Sequence, residues 1–121
     1  MRILIQRVKE ASVSIKGSVF SNIGQGLLLL VGIEDSDNQE DIDWLCKKAS
    51  NLRIFDDENG VMNLSIKDIQ GEMLIVSQFT LQAKTAKGNR PSYIKAAKPD
   101  ISVPLYEAFC KSMEAQLEKE V

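Results

Sequence analysis

Two apolar runs constrain this chain more than anything else in it. Leu27 to Ile33 and Met73 to Phe79 are strand-length segments without a single charge. The first reads best as a central strand, and the second as another strongly apolar, buried strand that ends in polar residues. Amphipathic helices pack on such a sheet. Ile42, Leu45, Ala49 and Leu52 recur at helical spacing, with Asp35, Ser36 and Asp37 as expected N-caps and an end at about Asn51 or Leu52. Val103, Tyr106, Phe109, Cys110, Met113 and Leu117 trace a second apolar helical face, with Pro104 expected in its first turn.

The remaining strands are weaker signals. Arg2 to Val8 alternates, and Ala11 to Lys16 turns at Gly17 into Ser18 to Ile23, which predicts a hairpin. Gly24 and Gly26 mark a turn, and Gly32 a bulge or a close contact. Asp56 to Gly60 reads as a solvated acidic turn, since the alternating ligands of a calcium loop are absent. A length of 121 residues fits a single domain, residues 1–121, of α+β class.

Absent residue types narrow the chemistry. With no histidine, a Ser-His-Asp triad, an HExxH zinc site and imidazole acid–base catalysis are all excluded. Cys46 and Cys110 lack CxxC or Cys/His spacing and read as buried free thiols, so no metal site is expected. The longest apolar run is far shorter than the ~20 residues of a spanning helix. Charge interrupts the first residues before a secretory segment can form, which makes the cytoplasm the expected location.

The chemistry that remains gathers after the second apolar run. Ser77, Gln78, Phe79 and Thr80 end it, and the following segment carries Lys84, Lys87, Arg90, Lys95 and Lys98 without an acid, on a chain of net charge -2. A basic loop on an acidic globule suits a phosphate backbone, and Tyr93 beside it suits stacking on a base. By residue type alone, however, Ser77, Gln78 and Thr80 are ordinary turn-capping and water-facing residues. Nothing nearby activates Thr80 as a nucleophile. Backbone amides joined by the Gln78 side chain could instead orient an ester carbonyl and stabilise its oxyanion, in a substrate that brings its own neighbouring hydroxyl.

The segments MRILIQRVKEASVSIKG, GQGLLLLVGIE, NLRIFDDENGVMNLSIKD and EMLIVSQFTLQAKTAKGNRPSY closely resemble the D-aminoacyl-tRNA deacylase family, and similarity continues through AKPDISVPLYEAFCKSMEAQLE. The resemblance implies a compact β-barrel-like sheet with helices packed on it and a homodimer without cofactor. It implies hydrolysis of the ester of D-aminoacyl-tRNA, or of glycine mischarged on tRNA, with neither DNA nor membrane as partner. It also maps the catalytic motif onto Ser77, Gln78, Phe79 and Thr80, tRNA contact onto Lys84, Lys87 and Arg90, and bracing of the chiral-selectivity element onto Arg7. Thr80 is then either the nucleophile or, as we expect, a positioning group for chemistry performed by the substrate's 2′-hydroxyl.

The family's Asn-x-Gly-Pro motif, which excludes L-amino acids, has no counterpart here: Pro91, Pro99 and Pro104 follow Arg90, Lys98 and Val103. The expectation is therefore a fold incomplete at its C-terminal strands. Two rival readings stay open: an impaired homologue that keeps tRNA binding or assembly, and a nucleotide- or anion-binding module.

Overall fold

The computed structural model describes residues 1–83, 85, 86 and 88–121. In chain order the elements are β1 (Arg2–Val8), β2 (Ala11–Ile15), β3 (Ser18–Ile23), β4 (Gly26–Gly32), α1 (Gln39–Asn51), β5 (Phe55–Asp56), β6 (Met62–Leu64), β7 (Glu72–Ser77), a 3₁₀ turn (Phe79–Gln82) and α2 (Pro99–Leu117). The first apolar run is the middle strand of a sheet ordered β1-β4-β7, which explains why it tolerates no charge. β1 runs antiparallel to it, with Arg2 opposite Gly32, and β7 runs parallel, with Ser77 opposite Val31.

Leu27, Leu29 and Val31 are fully buried in one cluster with Ile42, Cys46 and Ala49 of α1 and Phe109 and Met113 of α2. Burying each such aliphatic side chain contributes roughly 1.5–3 kcal/mol. Leu28 and Leu30, on the opposite face, are only half-buried. Parallel pairing of β4 with β7 demands a long crossover, which α1 and the β5–β6 hairpin supply. The two strands approach closely where β7 begins. A Cβ on Gly26 would lie 1.7 Å from the Glu72 carbonyl oxygen, so only glycine fits.

Both helices start elsewhere than the periodicity predicts. The N-cap of α1 is Asn38, not Asp35, Ser36 or Asp37: its side chain accepts from the N–H groups of Glu40 and Asp41 at 3.0 and 3.3 Å, and Asp41 accepts from the Asn38 N–H at 3.0 Å. This reciprocal box outcompetes a single acidic cap. Asp37 is otherwise engaged, accepting from the Met1 ammonium at 2.6 Å and from the Glu34 N–H at 2.7 Å.

α2 begins at Pro99, which occupies the first helical position, so Pro104 lies inside the helix rather than in its first turn. It forfeits the bond to the Asp100 carbonyl. Val103 is 49% exposed and does not join the apolar face. Side-chain periodicity marks where a helix packs, not where its backbone begins.

The second apolar run also ends early as a strand, at Ser77, and its last residues fold into the 3₁₀ turn. On the sheet's outer edge, the Tyr106 hydroxyl donates to the Ile75 carbonyl at 2.6 Å. The β2–β3 hairpin, with an irregularity between Val13 and Ser14, and the β5–β6 pair form separate small sheets. Asp57 organises the turn of the latter, accepting from the N–H groups of Asn59 and Val61 and from the Asn63 amide. Bonds from Val61 and then Asn59 hold its carboxyl below the ordinary range. The architecture is α+β as expected, while the barrel-like closure is not present among the described residues.

Candidate active site

The end of β7 is where polar chemistry collects. Once Ser77 has paired with Val31, the Gln78 N–H donates to the Val31 carbonyl at 2.8 Å and the chain curls into the 3₁₀ turn. Leu81 and Ala83 donate back to the carbonyls of Gln78 and Thr80. The N–H groups of Phe79 and Thr80, at the start of the turn, have no acceptor among the described residues. Two adjacent donors thus stand free at an exposed strand end, which is what a developing oxyanion requires.

The side chains add a third donor. The Gln78 Nε2 donates to the Thr80 Oγ1 at 2.6 Å, so the hydroxyl oxygen is an acceptor there and its own proton remains available to a ligand. Among the described residues no carboxylate or amine bonds to that hydroxyl. An oxygen that accepts from an amide and lacks a base is poorly disposed to attack. Ser77 and Thr80 are exposed and Gln78 is half-buried, so the cluster lines a surface rather than an interior cavity.

Gly32 makes this arrangement possible. A Cβ there would meet the Leu81 Cβ at 2.8 Å and the Gln78 carbonyl oxygen at 3.2 Å, so its expected close contact is with the turn itself. Two residues that the sequence did not single out hold the turn in place. The buried Gln82 donates from Nε2 to the Gly32 carbonyl at 3.0 Å, and the Arg2 guanidinium donates to the Leu81 carbonyl at 3.0 Å. A glutamine within a turn that closely follows an apolar strand was the available signal for Gln82. Its Oε1 is buried without a partner among the described residues.

The basic segment folds back to this same end. The Ala97 N–H donates to the Ile33 carbonyl at 2.8 Å, Ala96 forms a bridge with Glu34, and the Tyr93 ring meets Phe79 edge-on with centroids 5.0 Å apart. Phe79 is nonetheless 57% exposed. Arg90 is exposed on this loop, whereas Lys84 and Lys87 lie outside the described residues. Arg7 is not brought to the cluster. It shares a sheet face with Ser77 but sits four residues along β1 from Ile3, the residue level with it, or about 13 Å. Its guanidinium donates to the Ile54 carbonyl at 2.8 Å and faces Asp56 at 3.9 Å.

A small α+β fold thus ends a parallel strand in two amides free among the described residues, an amide-tethered hydroxyl and a loop carrying Arg90, an arrangement of donors that can meet an anionic or ester oxygen. The D-Tyr-tRNA(Tyr) deacylase family pattern matches residues 4–121, and the chain belongs to that family. Proteins named D-aminoacyl-tRNA deacylase from Bacteroides thetaiotaomicron and Porphyromonas gingivalis are 69% and 66% identical to it over 121 residues, covering all of this chain and 81% of each relative. Among solved structures, that of a c-Myc DNA Unwinding Element Binding Protein superimposes with a TM-score of 0.92 at 37% identity, over 99% of this chain and 83% of that one. A probable eukaryotic D-amino acid tRNA deacylase, at 18% identity and a TM-score of 0.79, shares the fold over 96% of this chain and 68% of its own.

Proposed function

We propose that this chain hydrolyses the ester between a D-amino acid, or glycine, and the 3′ end of tRNA. The observation that carries the reading is the pair of Phe79 and Thr80 amides, without an acceptor among the described residues, beside the Gln78–Thr80 bond in a member of a deacylase family. The ester carbonyl accepts from those amides, and the Thr80 hydroxyl donates its free proton to the same ligand. Water adds to the carbonyl carbon, the bond to the ribose oxygen breaks, and that oxygen leaves with a proton as a free hydroxyl. With no base bonded to Thr80 among the described residues, the substrate's neighbouring 2′-hydroxyl assists the water, and the protein contributes position and charge stabilisation.

Arg90 and the loop around it hold phosphates, together with Lys84 and Lys87. Arg7, fixed at the far end of the sheet, supports selectivity from a distance, through a partner subunit. A homodimer belongs to the same reading, with exposed Leu4 and Phe20 as candidates for its contact. A tRNA substrate implies work in the cytoplasm.

The test follows ester loss from D- and L-aminoacyl-tRNA incubated with the chain. Turnover of the D-ester is expected, and absence of turnover for both enantiomers overturns the reading. The rival, nucleic-acid binding without hydrolysis, is favoured by the 37% identical structure, whose name is that of a DNA-element binding protein. It gains if tRNA is retained unhydrolysed with a steep salt dependence.

A further inference from the structure

A second cationic surface lies on α1, away from the ester site. Trp44, Lys47, Lys48 and Asn51 recur at helical spacings of three and four, so they form one stripe on the side opposite the buried Ile42, Cys46 and Ala49. With Leu52 and Arg53 they line a depression of about 680 Å³ that contains no acid. Of the three acids of the helix, Asp41 closes the N-terminal box and Asp43 accepts from Gln39 and from Ser112 of α2, while exposed Glu40, one turn before Trp44, marks the N-terminal margin of the stripe.

Trp44 is 62% exposed, although an indole ring gains more from burial than almost any other side chain. The Lys48 ammonium stands 5.5 Å from the ring centroid and steadies it while leaving most of its surface open. Arg53 is committed to Asn63, through the backbone carbonyl at 2.9 Å and the side-chain oxygen, so it adds field rather than a free donor. Lys47 and Lys48 form no ion pair among the described residues.

We propose that this stripe is a second RNA contact, in which Trp44 stacks on an unpaired base of tRNA while Lys47 and Lys48 meet flanking phosphates. Charge and aromatic character together favour nucleic acid over a protein partner: two cations without an ion pair among the described residues, one of them over the exposed ring, and no acid between them match alternating phosphates and bases. The contact rests on the tRNA-ester reading above. α1 ends beside Ile54, which Arg7 ties to the end of β1 remote from Ser77. The C-terminal end of the stripe, at Asn51 to Arg53, thus lies toward the end of the sheet away from the ester site.

Trp44 is the chain's single tryptophan, so intrinsic emission reports this surface alone. Titration of the full chain with deacylated tRNA at low salt should quench it saturably. A Lys47→Ala/Lys48→Ala double variant should weaken that binding and reduce the salt slope by about 1.4–1.8. Trp44→Leu should raise KM for aminoacyl-tRNA by on the order of tenfold. Bound tRNA with unchanged emission overturns the proposal, as does quenching that follows protein concentration without RNA, which would mean that a second copy covers the stripe. Quenching without ester hydrolysis would support this contact and count only against the deacylase reading, whereas hydrolysis without quenching would do the reverse.

Discussion

Thr80 shows how one hydrogen bond decides between two roles. Its oxygen accepts from the Gln78 amide, and among the described residues no base bonds its hydroxyl. Thr80→Val keeps the shape and removes the hydroxyl, so D-aminoacyl-tRNA hydrolysis measured under single-turnover conditions should fall less than about tenfold, the scale of one neutral hydrogen bond. A loss of several orders of magnitude would instead make the hydroxyl the nucleophile. The sequence made Ser77, Gln78 and Thr80 visible as polar residues after an apolar run. It did not show the Gln78–Thr80 bond, because a bond between residues two apart depends on whether the backbone extends or curls, and periodicity cannot tell these at a strand's last residues.

The element that controls the site is the 3₁₀ turn, and the constraint on it comes from β4. Gly32→Ala places a methyl group 2.8 Å from Leu81 and should push the turn off the sheet. We expect a stability loss of roughly 1–3 kcal/mol by urea unfolding, with a larger proportional loss of activity than of stability. Asn38→Ala tests an element without chemistry: removing the acceptor of two N–H bonds should cost ~0.5–2 kcal/mol and leave kcat unchanged. The strands and both helices were legible from apolar spacing, since burial sets that spacing. Helix starts were not, because Asn38 and Pro99 act through backbone bonds that leave no apolar pattern.

At the scale of the whole molecule, burial makes three groups in and around the core resist ionisation, Cys110 and, with the largest shifts, Cys46 and Tyr106. Burial pushes the Cys46 thiol up to about 11 and the Tyr106 hydroxyl up to about 12. Both are raised, so the protonated form is favoured in the fold. Their stabilising contribution is complete below the ordinary values near 9 and 10, and is lost as pH climbs through the folded values. Thermal melts from about pH 7 to 11.5 should therefore show Tm falling above about pH 9, and Cys46→Ala should flatten the first part of that fall. At about pH 8 the Cys46 thiol should react with a disulfide reagent far more slowly than a free thiol, matching its complete burial.

The parallel pairing of β4 with β7 has a kinetic consequence. Gly32 and Gln82, whose contact seats the 3₁₀ turn, are 50 positions apart in the chain. Loop closure over such a span precedes any energetic return, and non-local pairing of this kind slows the folding of small domains. During synthesis β1 and β4 emerge long before their parallel neighbour. The nascent chain accordingly lacks the seated 3₁₀ turn, and deacylase activity should appear in refolding as a late event that coincides with the docking of β7.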